Sequence, residues 1–217
     1  MRGQVVVGVS GPDGAGKSTL VAEVRRRAEL RGSGVRTVYL YGCVACRRAR
    51  PRPAAPVGRQ DGSAIRSLVR TAHALVDGFE LAVRLLVVAG PFRRRHRASP
   101  TLILTDRTPL DGLAKHDPSP RSLPAQLYVA LARRYQRIFL LDASVEVLAE
   151  RDAEHPEREL DRWRVRFLRW AARVDETMRI DSASRSTPEL AEQILRLLEL
   201  PEQGRLPRRR PQGLGRR

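Results

Sequence analysis

A short apolar, β-branched run at residues 4–9 passes almost directly into Gly11-Pro12-Asp13-Gly14-Ala15-Gly16-Lys17-Ser18-Thr19, and residues 17–30 then show helical periodicity that stops before Gly32. Strand, glycine loop and helix in that order leave the first N–H groups of the helix unpaired at the carboxyl end of a strand. Glycines in the loop let backbone N–H groups turn toward phosphate oxygens, and the helix dipole favours the anion further. The spacing Gly-x-x-x-x-Gly-Lys-Ser, set between a strand and a helix, is the signature of a phosphate-binding loop. On this reading Lys17 reaches the β- and γ-phosphates of a nucleoside triphosphate and the Ser18 hydroxyl ligates Mg²⁺.

The rest of the chain repeats the alternation. Residues 35–41 read as a second strand, and residues 43–62 as a Pro- and Arg-rich connection long enough to be either functional or floppy. Residues 63–88 read as one or two helices, with Leu68, Ala72, Leu75 and Phe79 recurring on one face, followed by the basic run at residues 93–97. Strands are predicted at 101–105, 137–141 and 178–181, and helices at 124–135, 145–153 and 158–177. A last helix opens at Thr187 as N-cap, with Pro188 and Glu189 in its first turn, and ends near Leu200. Residues 201–217 carry too little apolar content to pack and read as a disordered Arg-rich tail. The pattern predicts an α/β domain over residues 1–200, with a five-stranded, mostly parallel sheet flanked by helices and ligands at the carboxyl ends of the strands.

Two further segments fall at those ends. Asp106 closes the apolar strand Thr101-Leu-Ile-Leu-Thr, where an acid beside a phosphate loop would hold the metal, and Arg107 next to it can grip a second phosphate bidentately. Residues 151–162 join two helices and concentrate cations, Arg151 and Arg158 among them. They are either an ordinary charged connection or a small lid that brings arginine onto a transferring phosphoryl group.

Composition narrows the class. The 217 residues carry a net charge of +17, but only Lys17 and Lys115 among the 41 basic residues are lysine and there is no asparagine. That bias is what a GC-rich genome produces, so a diffuse arginine surface is as good a reading as a nucleic-acid patch, and 5% aromatics are too few for a base-stacking platform. Without asparagine, the guanine-reading Asn-Lys-x-Asp of GTPases and the catalytic-loop Asn of protein kinases are both excluded. Cys43 and Cys46 form one Cys-x-x-Cys with no second ligand pair, which argues against a closed zinc site and leaves a redox pair or two reduced thiols. No apolar stretch approaches the roughly 20 residues of a membrane span, because Arg84 splits the best candidate. The N-terminus has no secretion-signal pattern, and a cytoplasmic location is expected.

The chain resembles the thymidylate kinases, within the P-loop nucleoside monophosphate kinases. The matching pieces are the loop from Gly11 to Thr19, the Asp106-Arg107 pair, Leu141-Asp-Ala-Ser-Val-Glu-Val-Leu-Ala-Glu-Arg151 entering the lid, and the closing Ile180-Asp181 strand with its helix. The resemblance implies a three-layer P-loop kinase fold that uses ATP and Mg²⁺. It also implies an acceptor held by Asp13, Asp106 and Arg107, and lid arginines at Arg151 and Arg158; a homodimer stays open. Where the family carries Arg-Glu-Pro-Gly-Gly-Thr after its second strand, this chain has Tyr41-Gly-Cys-Val-Ala-Cys-Arg47. Where the family reads thymine and deoxyribose after Asp-Arg, it has Thr108-Pro-Leu-Asp111-Gly-Leu-Ala114-Lys115-His116. The donor half matches and the acceptor half departs.

The expected chemistry is in-line transfer of the γ-phosphoryl group of Mg·ATP to a small acceptor, a nucleoside monophosphate or a related molecule, driven by positioning and charge neutralisation. A monophosphate acceptor needs no base; a hydroxyl acceptor needs a carboxylate, for which Asp13 or Asp111 is the candidate. The alternatives are an ATPase or nucleotide-binding regulatory protein, a kinase for a non-nucleotide hydroxyl, and an arginine-driven nucleic-acid binder that retains the loop.

Overall fold

Residues 4–39, 63–95 and 101–198 are described by a computed structural model of the chain. Five strands, β1 (Gln4–Ser10), β2 (Gly34–Tyr39), β3 (Thr101–Asp106), β4 (Arg137–Asp142) and β5 (Thr177–Asp181), form an all-parallel sheet in the order β2-β3-β1-β4-β5. Around it stand α1 (Lys17–Leu30), α2 (Ser63–Arg95), α3 (Pro109–His116), α4 (Leu123–Ala132), α5 (Val145–Arg151), α6 (Glu157–Ala171) and α7 (Thr187–Leu197). The three central strands, β1, β3 and β4, carry continuous apolar stretches because both faces of the sheet are covered there, whereas the edge strands β2 and β5 are interrupted by Arg36 and Arg179. In β4, Phe139 and Leu141 point into one layer with Leu20, Val24 and Ile194, while Ile138 and Leu140 point into the other with Tyr128 and Trp170. This is a three-layer α/β fold.

The strand order places the ligand crevice. From β1 the chain crosses to the β2 edge, and from β3 it crosses back to β4 on the opposite side of β1. The connections that leave β1 and β3 therefore run in opposite directions, and the crevice opens between their carboxyl ends. Val9 lies in register with Asp106 there.

Several elements differ from the sequence expectation. Residues 63–95 are one helix, and the side facing the protein carries Ala74, Gly78, Leu81 and Leu85. Of the four residues read on one face, Leu68 (71%), Phe79 (69%) and Ala72 are exposed and Leu75 is partly buried. Both sides of α2 are apolar, so periodicity alone finds two faces. The helix expected at 158–177 ends at Ala171, where Arg173 and Val174 turn back on Trp170 and Ala171, and Thr177 already belongs to β5. The helices expected at 124–135 and 145–153 stop at Ala132 and Arg151. Ser186 rather than Thr187 caps α7, because Glu189 lies three residues beyond Ser186 and closes a capping box. Helix α3 has no counterpart in the sequence reading.

Cys43, Cys46, Arg47, the long connection at 43–62, the end of the basic run at 96–97 and the tail at 201–217 lie outside the described residues. Among the described residues no helix is long and apolar enough to cross a membrane.

Candidate functional site

The loop between β1 and α1 takes its shape from glycine. Gly16, the residue before the helix, has φ +85° with nothing within 4 Å of where a Cβ would stand, so its backbone conformation alone demands glycine. Gly14 has φ +80°, and a Cβ there would meet the Leu148 carbonyl oxygen of α5 at 2.7 Å. The start of α1 has no side-chain cap and no acid in its first turn, which leaves its leading N–H groups for an anion.

Lys17 is only 8% exposed, and its Nζ donates to the Pro12 carbonyl at 2.8 Å and to Asp13 Oδ1 at 3.0 Å. Arg107 Nη2 approaches the same Asp13 oxygen at 3.5 Å. Burial works to raise the Asp13 carboxyl, but the charge and hydrogen bond of Lys17, with the charges of Arg107 and His155, outweigh it and hold the group below the ordinary aspartate range.

Asp106 closes β3 and is 2% exposed. Its Oδ2 accepts from Ser18 Oγ at 2.9 Å, and its Oδ1 is buried with no hydrogen-bond partner among the described residues. A buried carboxylate oxygen left without a donor is costly, about 1–3 kcal/mol, unless something absent from the chain itself satisfies it. A carboxylate and a hydroxyl side by side at the mouth of a phosphate loop are hard oxygen donors, the set a magnesium ion uses. The residues present therefore fit Mg²⁺. No cluster of three or more Asp, Glu, His or Cys suited to a metal exists among the described residues.

The corner after Asp106 is strained and clamped. Arg107 adopts φ +74°, a conformation that costs a non-glycine residue on the order of 1–3 kcal/mol. Its N–H donates to Val9 O at 3.1 Å, and the next residue, Thr108, caps α3 through a capping box with Asp111. Asp111 Oδ2 accepts from Thr108 N at 2.7 Å and from Ser10 Oγ at 2.6 Å, which ties the ends of β3 and β1 together. Burial pushes the Asp111 carboxyl above its ordinary range, against the charges of Lys17 and Arg107 and the hydrogen bonds from Ser10 and Thr108.

The structure thus brings Asp13, Lys17, Ser18, Asp106 and Arg107 into one cluster. Among the described residues neither Arg151 nor Arg158, the arginines expected in a lid, makes a hydrogen bond or ion pair with that cluster. Arg151 Nη1 reaches the Ser182 carbonyl at 3.5 Å, and Arg158 lines an open groove of about 410 Å³ on α6 with Pro156, Glu159, Arg162, Trp163 and Arg166. What links the connection to the loop is a pair the sequence reading missed. His155 Nδ1 lies 3.0 Å from Asp152 Oδ2, its ring packs on Trp163, and the Asp152 Cβ stands 3.2 Å from where a Gly14 Cβ would be. The only trace of it in the sequence is a histidine three residues after an aspartate in a charged linker.

Compared with known proteins, the chain matches no protein-family model and no curated sequence.

Proposed function

We propose that this chain transfers the γ-phosphoryl group of ATP, bound with Mg²⁺, to a small acceptor. The observation that carries the reading is Asp106: one oxygen takes the Ser18 hydroxyl at 2.9 Å and the other is buried without a donor beside the phosphate loop. The all-parallel sheet, with the loop and Asp106 at neighbouring strand ends, and the resemblance of the donor motifs to the thymidylate kinases support it.

Each group has a task in this reaction. Backbone N–H groups at the start of α1 and the Lys17 ammonium hold the donor phosphates, and Lys17 exchanges Asp13 for a phosphate oxygen when the nucleotide arrives. Ser18 and Asp106 would hold Mg²⁺, which neutralises charge on the phosphate oxygens when bound. Arg107 is preset by its turn to grip the acceptor side, with Asp13 beside it. No covalent intermediate is needed, because positioning and electrostatics account for phosphoryl transfer. The reaction belongs where ATP is abundant, in the cytoplasm.

The test is product balance. A kinase releases ADP in step with a phosphorylated product across a panel of candidate acceptors, and Lys17→Met abolishes both. Undiminished transfer by purified, folded Lys17→Met protein contradicts the assignment. ADP release without any phosphorylated product would make the protein an ATPase instead.

A further inference from the structure

We propose that the acceptor is a hydroxyl compound whose proton passes to Asp111, an inference that rests on the phosphoryl-transfer reading above. Two carboxylates flank the site, and their surroundings differ in kind. Asp13 is occupied: Lys17 Nζ lies 3.0 Å and Arg107 Nη2 3.5 Å from its Oδ1, and these cations stabilise its ionised form. A carboxylate held that way grips ligands and accepts protons poorly.

Asp111 is placed otherwise. Its Oδ2 is fixed by Ser10 Oγ at 2.6 Å, Thr108 N at 2.7 Å and Thr108 Oγ1 at 3.3 Å. Its Oδ1 accepts no hydrogen bond among the described residues, and the residue is only partly buried. The residue lies within electrostatic reach of both Lys17 and Arg107, the cations that bracket the phosphoryl group, while burial raises its proton affinity. Two acids pushed in opposite directions at one site separate the roles: Asp13 stays ionised and binds, and Asp111 takes the proton.

The chemistry then balances without a further reagent. The acceptor hydroxyl oxygen forms a bond to the γ-phosphorus, and the bond from that phosphorus to the β,γ-bridging oxygen breaks. ADP leaves with the electron pair, and the hydroxyl proton moves to Asp111 Oδ1. A phosphate acceptor is already anionic and has no proton that must be removed. A carboxylate free to accept one would only repel it.

Water is the simplest hydroxyl, so the full-length protein with Mg·ATP alone is a usable probe, extended by a panel of nucleosides and free sugars set against nucleoside monophosphates and sugar phosphates. Asp111→Asn keeps an oxygen for Ser10 and the Thr108 N–H and cannot take a proton. It should slow ADP formation in water, and transfer to hydroxyl acceptors, at least about 100-fold. Mg·ATP affinity should change less than about threefold, as expected for a group that acts only in the chemical step. The wild-type rate should fall on the acid side with a midpoint above the ordinary aspartate range, and the variant should lack that limb. If the variant proves unfolded by circular dichroism, the wild-type pH profile and acceptor panel decide alone. A preference for monophosphate acceptors, or an Asp111→Asn enzyme with an unchanged rate and pH profile, overturns the proposal and leaves phosphoryl transfer standing. Absence of any Mg·ATP binding removes the underlying reading as well.

Discussion

Lys17 Nζ lies 3.0 Å from Asp13 Oδ1, so in the free protein a carboxylate four residues back occupies the ammonium that a phosphate would otherwise claim. On the proposed function Asp13 would compete with the nucleotide. The pair is about one-third exposed on the Asp13 side, which limits its strength to roughly 1 kcal/mol. Asp13→Asn should therefore tighten Mg·ATP binding about fivefold, read by titration calorimetry, while weakening phosphoryl transfer through lost contacts on the acceptor side. Weaker nucleotide binding in the variant would show that Asp13 contributes to the donor site rather than opposing it.

Asp106 carries a trade between stability and function. Its buried Oδ1 has no donor among the described residues, and a neutral amide is easier to bury than a charge. In metal-free buffer Asp106→Asn should melt about 2–4 °C higher than wild type, equivalent to roughly 1 kcal/mol for a domain of this size. If the proposed function holds, Mg²⁺ with ATP should stabilise the wild type further and this variant should lose that gain, measured by differential scanning calorimetry. A lower melting temperature in metal-free buffer would mean that the oxygen is satisfied within the protein.

The loop glycines separate strain from space. Gly16→Ala meets no atom within 4 Å and carries only the penalty of a left-handed residue, about 1–2 kcal/mol. Gly14→Ala adds a 2.7 Å approach to a backbone oxygen of α5, which a side-chain rotation cannot relieve. Denaturant unfolding should rank Gly14→Ala as the more destabilised of the two. Equal losses would show that α5 yields.

The parts of the fold legible in the sequence were those whose local signal and tertiary role agree. Residues 4–30 form strand, loop and helix as read, because an apolar run buried on both faces and a glycine loop leave few alternatives. Helix α3 was invisible. It is eight residues long and contains Gly112, whose missing Cβ makes room for the Tyr128 ring, a contact made across the fold. The outward face of α2 was misread because periodicity reports an apolar stripe without saying which side meets the sheet. Ser18 and Asp106, singled out by motif, stand in contact at the end of β3. The Ser10 contact to Asp111 joins residues 101 positions apart, and no spacing rule could supply it.

His155 should report on the connection beside the loop. Its hydrogen bond to Asp152 raises its proton affinity above the ordinary histidine value, with burial acting weakly the other way. The interaction therefore stabilises the folded protein below pH about 6.5 and is lost as pH rises through the elevated folded value. In NMR titrations the His155 ring should titrate above 6.5, and Asp152→Asn should lower it toward the ordinary value, with the charges of Asp13 and Glu159 still acting on it. An unchanged midpoint in the variant would mean that the pair does not form in solution.

On the proposed function, a triphosphate and a magnesium ion bind together on residues 11–19 and Asp106. Calorimetric titration of ATP into the full-length protein, with Mg²⁺ and then with the metal chelated, tests it most directly. Saturable heat is expected with Mg²⁺ and at least about tenfold weaker binding without it, since charge neutralisation by the ion would be part of such a site. No heat in either buffer, or the same affinity in both, would contradict it.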